Sequence, residues 1–344
     1  MRRSPLTFSE GKYITAKQYH SPQGEYHICE ADISLTTIPR HPLVKPIQLC
    51  YNNTEYSQKG GISLSLRSTV SYTKNNFMKY RYLLQELVVK NIKLQYRNSA
   101  LGMFWSFLQP LLTMVVLSLI FSQLFGKDSA QVVNYPVYLL SGRLLYEFYT
   151  QSTKRAMKSV RKNASIIKKV YVPKYIYPLS MTLSTFVTFL ISLSVLAAVI
   201  VFFAIIKYNP ISLSFNVLWG IVPIVILFVL SLGVGLILCT LNVFFKDIEN
   251  LYDVFTLLLF YLTPIVYTVD KLNYPMDSLI IKLLKLNPLY GIVEAFRACV
   301  IHGTELMAYL DIYALLYSGA FALVCLIVGL IMFSKQQDKF ILHI

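Results

Sequence analysis

The sequence predicts an all-α fold: a polytopic membrane protein with six transmembrane helices, an N-terminal amphipathic helix lying at the interface, and short external helices. Three observations carry this expectation. Hydrophobic residues make up 55% of the 344 residues and charged residues only 14%, with a mean hydropathy of +0.53, a balance typical of chains that sit in lipid. Six apolar stretches follow one another, each about long enough for a ~30 Å hydrocarbon core at 1.5 Å per residue. A basic, one-sided helical pattern over 77–97 runs directly into the first of them. The formal net charge of +15 is concentrated between apolar stretches rather than on a soluble basic face, which excludes nucleic acid as a partner.

Residues 1–76 differ in composition. They are polar and rich in Tyr, Ser and Thr, with Pro5, Pro22, Pro39, Pro42 and Pro46, and no period persists, so a poorly ordered cytoplasmic tail is expected, with one short hairpin at 28–38. The start of the chain lacks the apolar core of a signal peptide, and Met78 is a candidate second start that would make the tail dispensable. His20, His27, Cys29, His41 and Cys50 fit no zinc spacing and read as surface residues. Asn52-Asn53-Thr54 matches a glycosylation triplet, which a cytoplasmic tail would never present to the machinery. The five cysteines show no regular spacing, and Cys239 and Cys325 fall inside apolar stretches, where a thiol behaves as a small hydrophobe.

The membrane-embedded part is expected to occupy 77–344. Over 77–97, Tyr80, Leu83, Leu84, Leu87, Val88, Asn91, Ile92 and Leu94 share one helix face. Glu86, Lys90, Lys93 and Arg97 share the other, the pattern of a helix resting on anionic headgroups. Spans are expected at 103–125, 133–152, 176–206, 217–242, 251–269 and 312–333. The second is interrupted by Arg143 and Glu147, whose i,i+4 spacing predicts a pair. Between the fifth and sixth spans, Asn287-Pro288 separates an amphipathic segment from an apolar one too short to cross, and Glu294 and Arg297 can pair at i,i+3. Two short helices in the outer leaflet are expected there.

Orientation follows from charge. Lys154, Arg155, Lys158, Arg161, Lys162, Lys168, Lys169 and Lys174 form an acid-free basic loop, whereas 126–132 and 207–216 are close to neutral. The basic loop is therefore cytoplasmic, and an even number of crossings places both termini there too. No P-loop, zinc-protease or nucleophile-elbow motif is present, so no catalytic residue, bound cofactor or metal is expected. Acids are almost absent from the spans, which argues against an ion-coupled carrier; uphill transport would need energy from a partner. Ile166, Ile167, Lys168, Lys169, Val170, Tyr171, Val172 and Pro173 combine apolar anchors with positive charge and form the expected docking segment. Tyr138, Tyr146 and Tyr149 share a span with the charged pair and are candidate channel residues, since aromatic rings suit sugar C–H faces.

Several of these residues carry a family resemblance. Tyr96-Arg97-x-Ser99-x-Leu101-Gly102-x-x-Trp105 with Gln109-Pro110 is one motif, and Asn242-Val243-x-x-Lys246-Asp247 with Tyr261-Leu262-Thr263-Pro264-Ile265-Val266-Tyr267 is a second. Asn287-Pro288 with Phe296-Arg297 is a third. From Phe77 onward the chain resembles the ABC-2 type permeases that export O-antigen, capsule or teichoic acid polysaccharides. The resemblance implies a homodimer in the bacterial plasma (inner) membrane, joined to an ABC nucleotide-binding subunit that holds ATP and Mg, and moving a lipid-linked polysaccharide outward. It further implies a substrate entrance at Tyr96, Arg97, Leu101, Gly102 and Trp105, and ATPase coupling through Ile166, Ile167, Lys168, Lys169, Val170, Tyr171 and Pro173. A channel or gate is implied at Arg143, Tyr146, Glu147, Tyr149, Asn287, Pro288 and Arg297. Lys246 stands where such permeases more often carry Arg, keeping the charge but not the fork, and the tail has no counterpart. A drug-exporting ABC-2 permease shares the architecture. A lipid-glycan transferase would need an acidic or histidine cluster near the headgroups, and a scaffold without transport would leave glycan export intact when lost.

Overall fold

The computed structural model describes residues 19–20, 26–27, 66–121, 134–169, 172–206, 215–267, 279–301 and 310–343. The chain divides into two compact units, Met1–Ser63 and Leu64–Ile344. In the first, β1 (Tyr19–His20) and β2 (Tyr26–His27) pair antiparallel, with Tyr19 opposite His27 and His20 opposite Tyr26. This hairpin precedes the expected one, and 28–38 lie outside the described residues, as do the side chains of the five His and Cys residues considered for zinc.

The second unit is helical. α1 (Leu66–Tyr96) begins before residue 77, where the apolar period starts. It buries Leu84 and Leu87 while Glu86, Lys90, Lys93 and Arg97 stay exposed. Leu94, expected on the inner face, is 44% exposed. A 3-10 turn over Gly102–Phe104 leads into α2 (Trp105–Phe121). Then follow α3 (Tyr135–Lys162), the one-turn α4 (Ala164–Ile167) and α5 (Ile176–Ile206), whose limits match the expected third span. A second 3-10 segment (Phe215–Gly220) opens α6 (Ile221–Phe244). α7 (Ile248–Leu262), α8 (Leu279–Leu286), α9 (Pro288–Ile301), α10 (Ile312–Gln336) and α11 (Phe340–His343) complete the order.

Among the described residues, four stretches are long and apolar enough to cross a bilayer: Gly102–Phe121, Ile176–Ile205, Val217–Phe244 and Ile312–Lys339. The other two expected spans coincide with α3 and α7. α3 reaches from one end of the bundle to the other: Tyr135 belongs to one hydrophobic core with Leu227, Ile265 and Phe296, and Val160 to a second with Leu84, Cys239 and Phe340. It is packed by protein, so it can carry buried Ser141, Thr153 and Ser159, each donating to a carbonyl one turn back at 2.9, 2.8 and 2.6 Å. α7 is shorter than the expected 251–269. Thr263 is extended (φ −101°, ψ 125°) because the following Pro264 disfavours helix at the residue before it.

α6 and α10 approach through small residues. A Cβ on Gly233 would lie 2.6 Å from the Leu326 backbone nitrogen, and one on Gly329 would lie 2.7 Å from the Gly233 carbonyl oxygen. Between membrane helices, where lipid is as apolar as Leu, such backbone contact supplies the attraction. The basic-loop end is closed by α11: Phe340 is fully buried against Phe333 and Phe244, ring centroids 5.2 and 6.0 Å away.

Candidate functional site: a polar cleft and two supporting nodes

The chain turns from α1 into α2 over four exposed residues, Leu101, Met103, Phe104 and Trp105. Gly102 has φ +53°, the one positive-φ glycine among the described residues, and its N–H donates to the Ser99 side chain at 3.1 Å. A side chain there would be strained although no atom stands in its way, which accounts for Leu-Gly at this turn. In α2, Pro110 lacks the N–H that would bond the Ser106 carbonyl. That carbonyl instead accepts from Ser192 of α5 at 3.2 Å. The proline thus ties α2 to α5, and the Tyr96 and Ser106 hydroxyls share a hydrogen bond that ties α1 to α2.

These ties surround a small, half-open cleft of about 80 Å³ between α1, α2, α3 and α5. Tyr96, Trp105, Phe148 and Phe189 contribute its aromatic wall. Gln95, Gln109, Glu147, Gln151, Thr185, Thr188 and Ser192 contribute the polar one. A single network orders the polar side. Glu147 Oε1 accepts from Gln151 at 2.8 Å and from Gln109 at 3.3 Å. Arg155 donates to Gln95 at 2.8 Å and to Gln151 at 3.4 Å, and Gln95 donates to the Tyr96 hydroxyl at 3.1 Å.

The expected Arg143–Glu147 pair does not form. Glu147 is turned toward two amides, one supplied by α2, and the buried Arg143 Nε has no hydrogen-bond partner among the described residues. Helical spacing permits a pair but cannot see a competing donor from another helix. Tyr146 and Tyr149 do not line the cleft. They are 9% and 5% exposed, and the Tyr146 hydroxyl donates to the Thr256 carbonyl of α7 while its ring meets Phe260 edge-on at 5.3 Å. Of the residues singled out from sequence, Tyr96, Trp105 and Glu147 meet in the cleft, and Arg97, Leu101 and Gly102 stand at its rim by chain position. Of the three glutamines, Gln109 was quoted only within a motif and given no role, and Gln95 and Gln151 were missed. Their signal was present, as Gln95 adjoins the Tyr96 motif, Gln109 adjoins Pro110 and Gln151 follows Glu147 by one turn.

The second node lies where α9 meets α3 and the end of α7. Asn287 caps α9 by accepting from the Leu289 N–H at 3.0 Å, and its amide donates to Thr263 at 2.8 Å. Pro288 occupies the first helical position, where its missing N–H is harmless. The Glu294–Arg297 pair forms at 3.2 Å, but Arg297 is 2% exposed and does more. It donates to the carbonyls of Pro264 at 2.7 Å and Ile265 at 3.0 Å, and its guanidinium lies 3.6 Å from the Tyr138 ring centre. Those two carbonyls lie just beyond the end of α7, so Arg297 satisfies backbone that Pro264 removed from a helix. Gly142 of α3 leaves the room: a Cβ there would collide with the guanidinium.

The third node is the basic loop. Ile167 is buried while Lys168 and Lys169 are exposed, and Val170 and Tyr171 lie outside the described residues. Just beyond Pro173, Lys174 donates to the Gln337 carbonyl, and its partial burial lowers its pKa. On α3, Lys154 and Lys158 pair with Asp253 at 2.7 Å and Glu249 at 2.8 Å, stapling α3 to α7. The hydrogen bond from Lys158 holds the Glu249 carboxyl below its ordinary range.

Fold and site together define a polytopic α-helical membrane protein with a polar, aromatic-walled cleft inside its bundle. A family model described as ABC-2 type transporter matches residues 82–301, and the chain belongs to that family. It is 33% identical over 270 residues to the O-antigen export system permease protein RfbA of Klebsiella pneumoniae, covering 76% of this chain and 97% of that one. It is 22% identical to the polysialic acid transport protein KpsM of Escherichia coli, covering 77% and 97%. With the capsule polysaccharide export inner-membrane protein CtrC of Neisseria meningitidis it shares 20% over 214 residues, covering 62% and 76%.

Proposed function

We propose that this chain is the permease subunit of an ATP-driven exporter that moves a lipid-linked polysaccharide from the cytoplasmic side of a bacterial inner membrane outward. The observation that carries the reading is the cleft itself. A bundle otherwise coated with apolar side chains keeps amides, hydroxyls, one carboxylate and aromatic rings around this cleft. That combination suits a sugar, with C–H faces against the rings and hydroxyls to the polar groups. Membership of the family and the names of the relatives support the same direction of argument. Trp105 lines the cleft, and exposed Leu101 and Phe104 precede it in the chain; this supports an entrance where an isoprenoid chain stays in lipid while its headgroup enters.

ATP and Mg belong to a separate nucleotide-binding subunit, and two copies of this chain form the pathway. The segment from Ile166 to Pro173 docks that subunit through exposed Lys168 and Lys169, with buried Ile167 transmitting its movement to the core formed by Val160, Ile176 and Phe340. Both termini then face the cytoplasm with the basic loop. The test is a mild-detergent purification of tagged chain with ATPase assay of what accompanies it. Recovery of a P-loop subunit in equal amount, lost on Lys168→Glu/Lys169→Glu, is the expected result. A homo-oligomer without ATPase in several detergents refutes the mechanism.

A further inference from the structure

The cleft carries a charge preference that the export reading does not by itself contain. Resting on that reading, we propose that the Glu147 cleft is a subsite for a neutral pyranose and discriminates against sugars bearing a carboxylate.

Glu147 is the one acid in the cleft wall. Its Oε1 takes both amide donors, Gln109 and Gln151, and Oε2 accepts no hydrogen bond among the described residues. A carboxylate oxygen accepts and cannot donate, so a ligand must bring a hydroxyl or amide proton to it, and a pyranose with neighbouring hydroxyls does so. An anionic sugar would instead place like charges within a few ångströms of one another in a partly buried site, where repulsion is stronger than in bulk water. No cation offsets this from within the cleft wall, since neither Arg143 nor Arg155 is among the residues that line it. Arg155 already donates from Nη1 to Gln95 and from Nη2 to Gln151. Arg155 is thereby a positioning residue, as it fixes the Gln151 amide with its oxygen toward the guanidinium and its nitrogen toward Glu147. Trp105 and Phe189 supply apolar walls for the ring's C–H faces.

Trp105 makes the test direct. The chain has two tryptophans, so a Trp219→Phe background leaves Trp105 as sole reporter. The full chain in lipid nanodiscs at pH 7 is titrated with butyl β-glucoside and butyl β-glucuronide, read by Trp105 fluorescence. The neutral glycoside is expected to bind at least about tenfold tighter than the uronate, and Glu147→Gln to shrink that ratio to about two or less. Equal or tighter binding of the uronate, or no response to the neutral glycoside, overturns the proposal. The comparison within unmodified Glu147 protein stands even if Glu147→Gln fails to fold. Loss of export reading and loss of subsite are distinguishable: glycoside discrimination without ATP-dependent glycan movement sinks the former alone, and glycan movement without discrimination sinks the latter.

Discussion

Removing the Arg297 guanidinium should change the meaning of a glycine on another helix. Arg297→Met keeps the approximate volume but leaves the Pro264 and Ile265 carbonyls, bonded at 2.7 and 3.0 Å, without their donors in a buried setting. Breaking such a buried, charge-assisted cluster from one side costs about 3–5 kcal/mol. Gly142→Ala acts on the same space, since its Cβ falls on the guanidinium, and overpacking of this kind costs about 1–3 kcal/mol. With Met at 297 the obstruction is gone. The alanine then contributes only its better helix propensity, worth about 0.5–1 kcal/mol over glycine. The sign of Gly142→Ala therefore reverses between the two backgrounds. The assay is a double-mutant cycle of thermal midpoints in one detergent, with Arg297→Lys as a fifth protein that keeps charge but loses the fork. Each single variant should melt well below the parent, and the double variant no lower than Arg297→Met alone. If the two losses add, the clamp described here is not what holds α3, α7 and α9 together.

Two further predictions concern other parts of the molecule. Gly102→Ala meets no atom within 4 Å but must adopt φ +53°, a strain of about 1–2 kcal/mol; it should lower glycan export while leaving the thermal midpoint within a few degrees, and an unaltered export level would contradict the turn's role. For pH, the Glu249 carboxyl is held below its ordinary range chiefly by the Lys158 hydrogen bond. A carboxyl depressed on folding contributes stability that is complete above its unfolded pKa and is lost as pH falls through the folded one. Thermal midpoints measured from about pH 6 down to about pH 3 should fall less steeply for Glu249→Gln than for the parent, and parallel curves would show that the pair contributes nothing.

Much of the architecture was legible because lipid imposes long uninterrupted apolar runs. α5 begins and ends where its uncharged stretch does, and Asn287-Pro288 separates α8 from α9 as cap and first helical residue. The Glu294–Arg297 pair was likewise legible from i,i+3 spacing. Local periodicity failed where a partner came from another helix. Glu147 chose Gln109 and Gln151 over Arg143, and Arg297 proved to serve the broken end of α7 as well as Glu294. The extent of α7 was overestimated because an apolar run continues past Thr263 while the Pro264 ring does not allow the helix to. The start of α1 was missed because residues 66–76 are polar and carry no apolar stripe. The cleft was partly legible: Tyr96, Trp105 and Glu147 stood out, but Phe148, Phe189 and the glutamines that order it look like ordinary span residues until the helices converge.

If export runs as proposed, glycan passes through the cleft between α1, α2, α3 and α5. The measurement that tests it most directly is ATP-driven accumulation of radiolabelled lipid-linked glycan inside inverted membrane vesicles containing the chain and its ATPase subunit, compared with Thr188→Trp, which fills the cleft from α5. Accumulation is expected with the parent protein and is lost in Thr188→Trp, with assembly of the ATPase subunit unchanged. Accumulation that continues with the cleft filled would contradict that route.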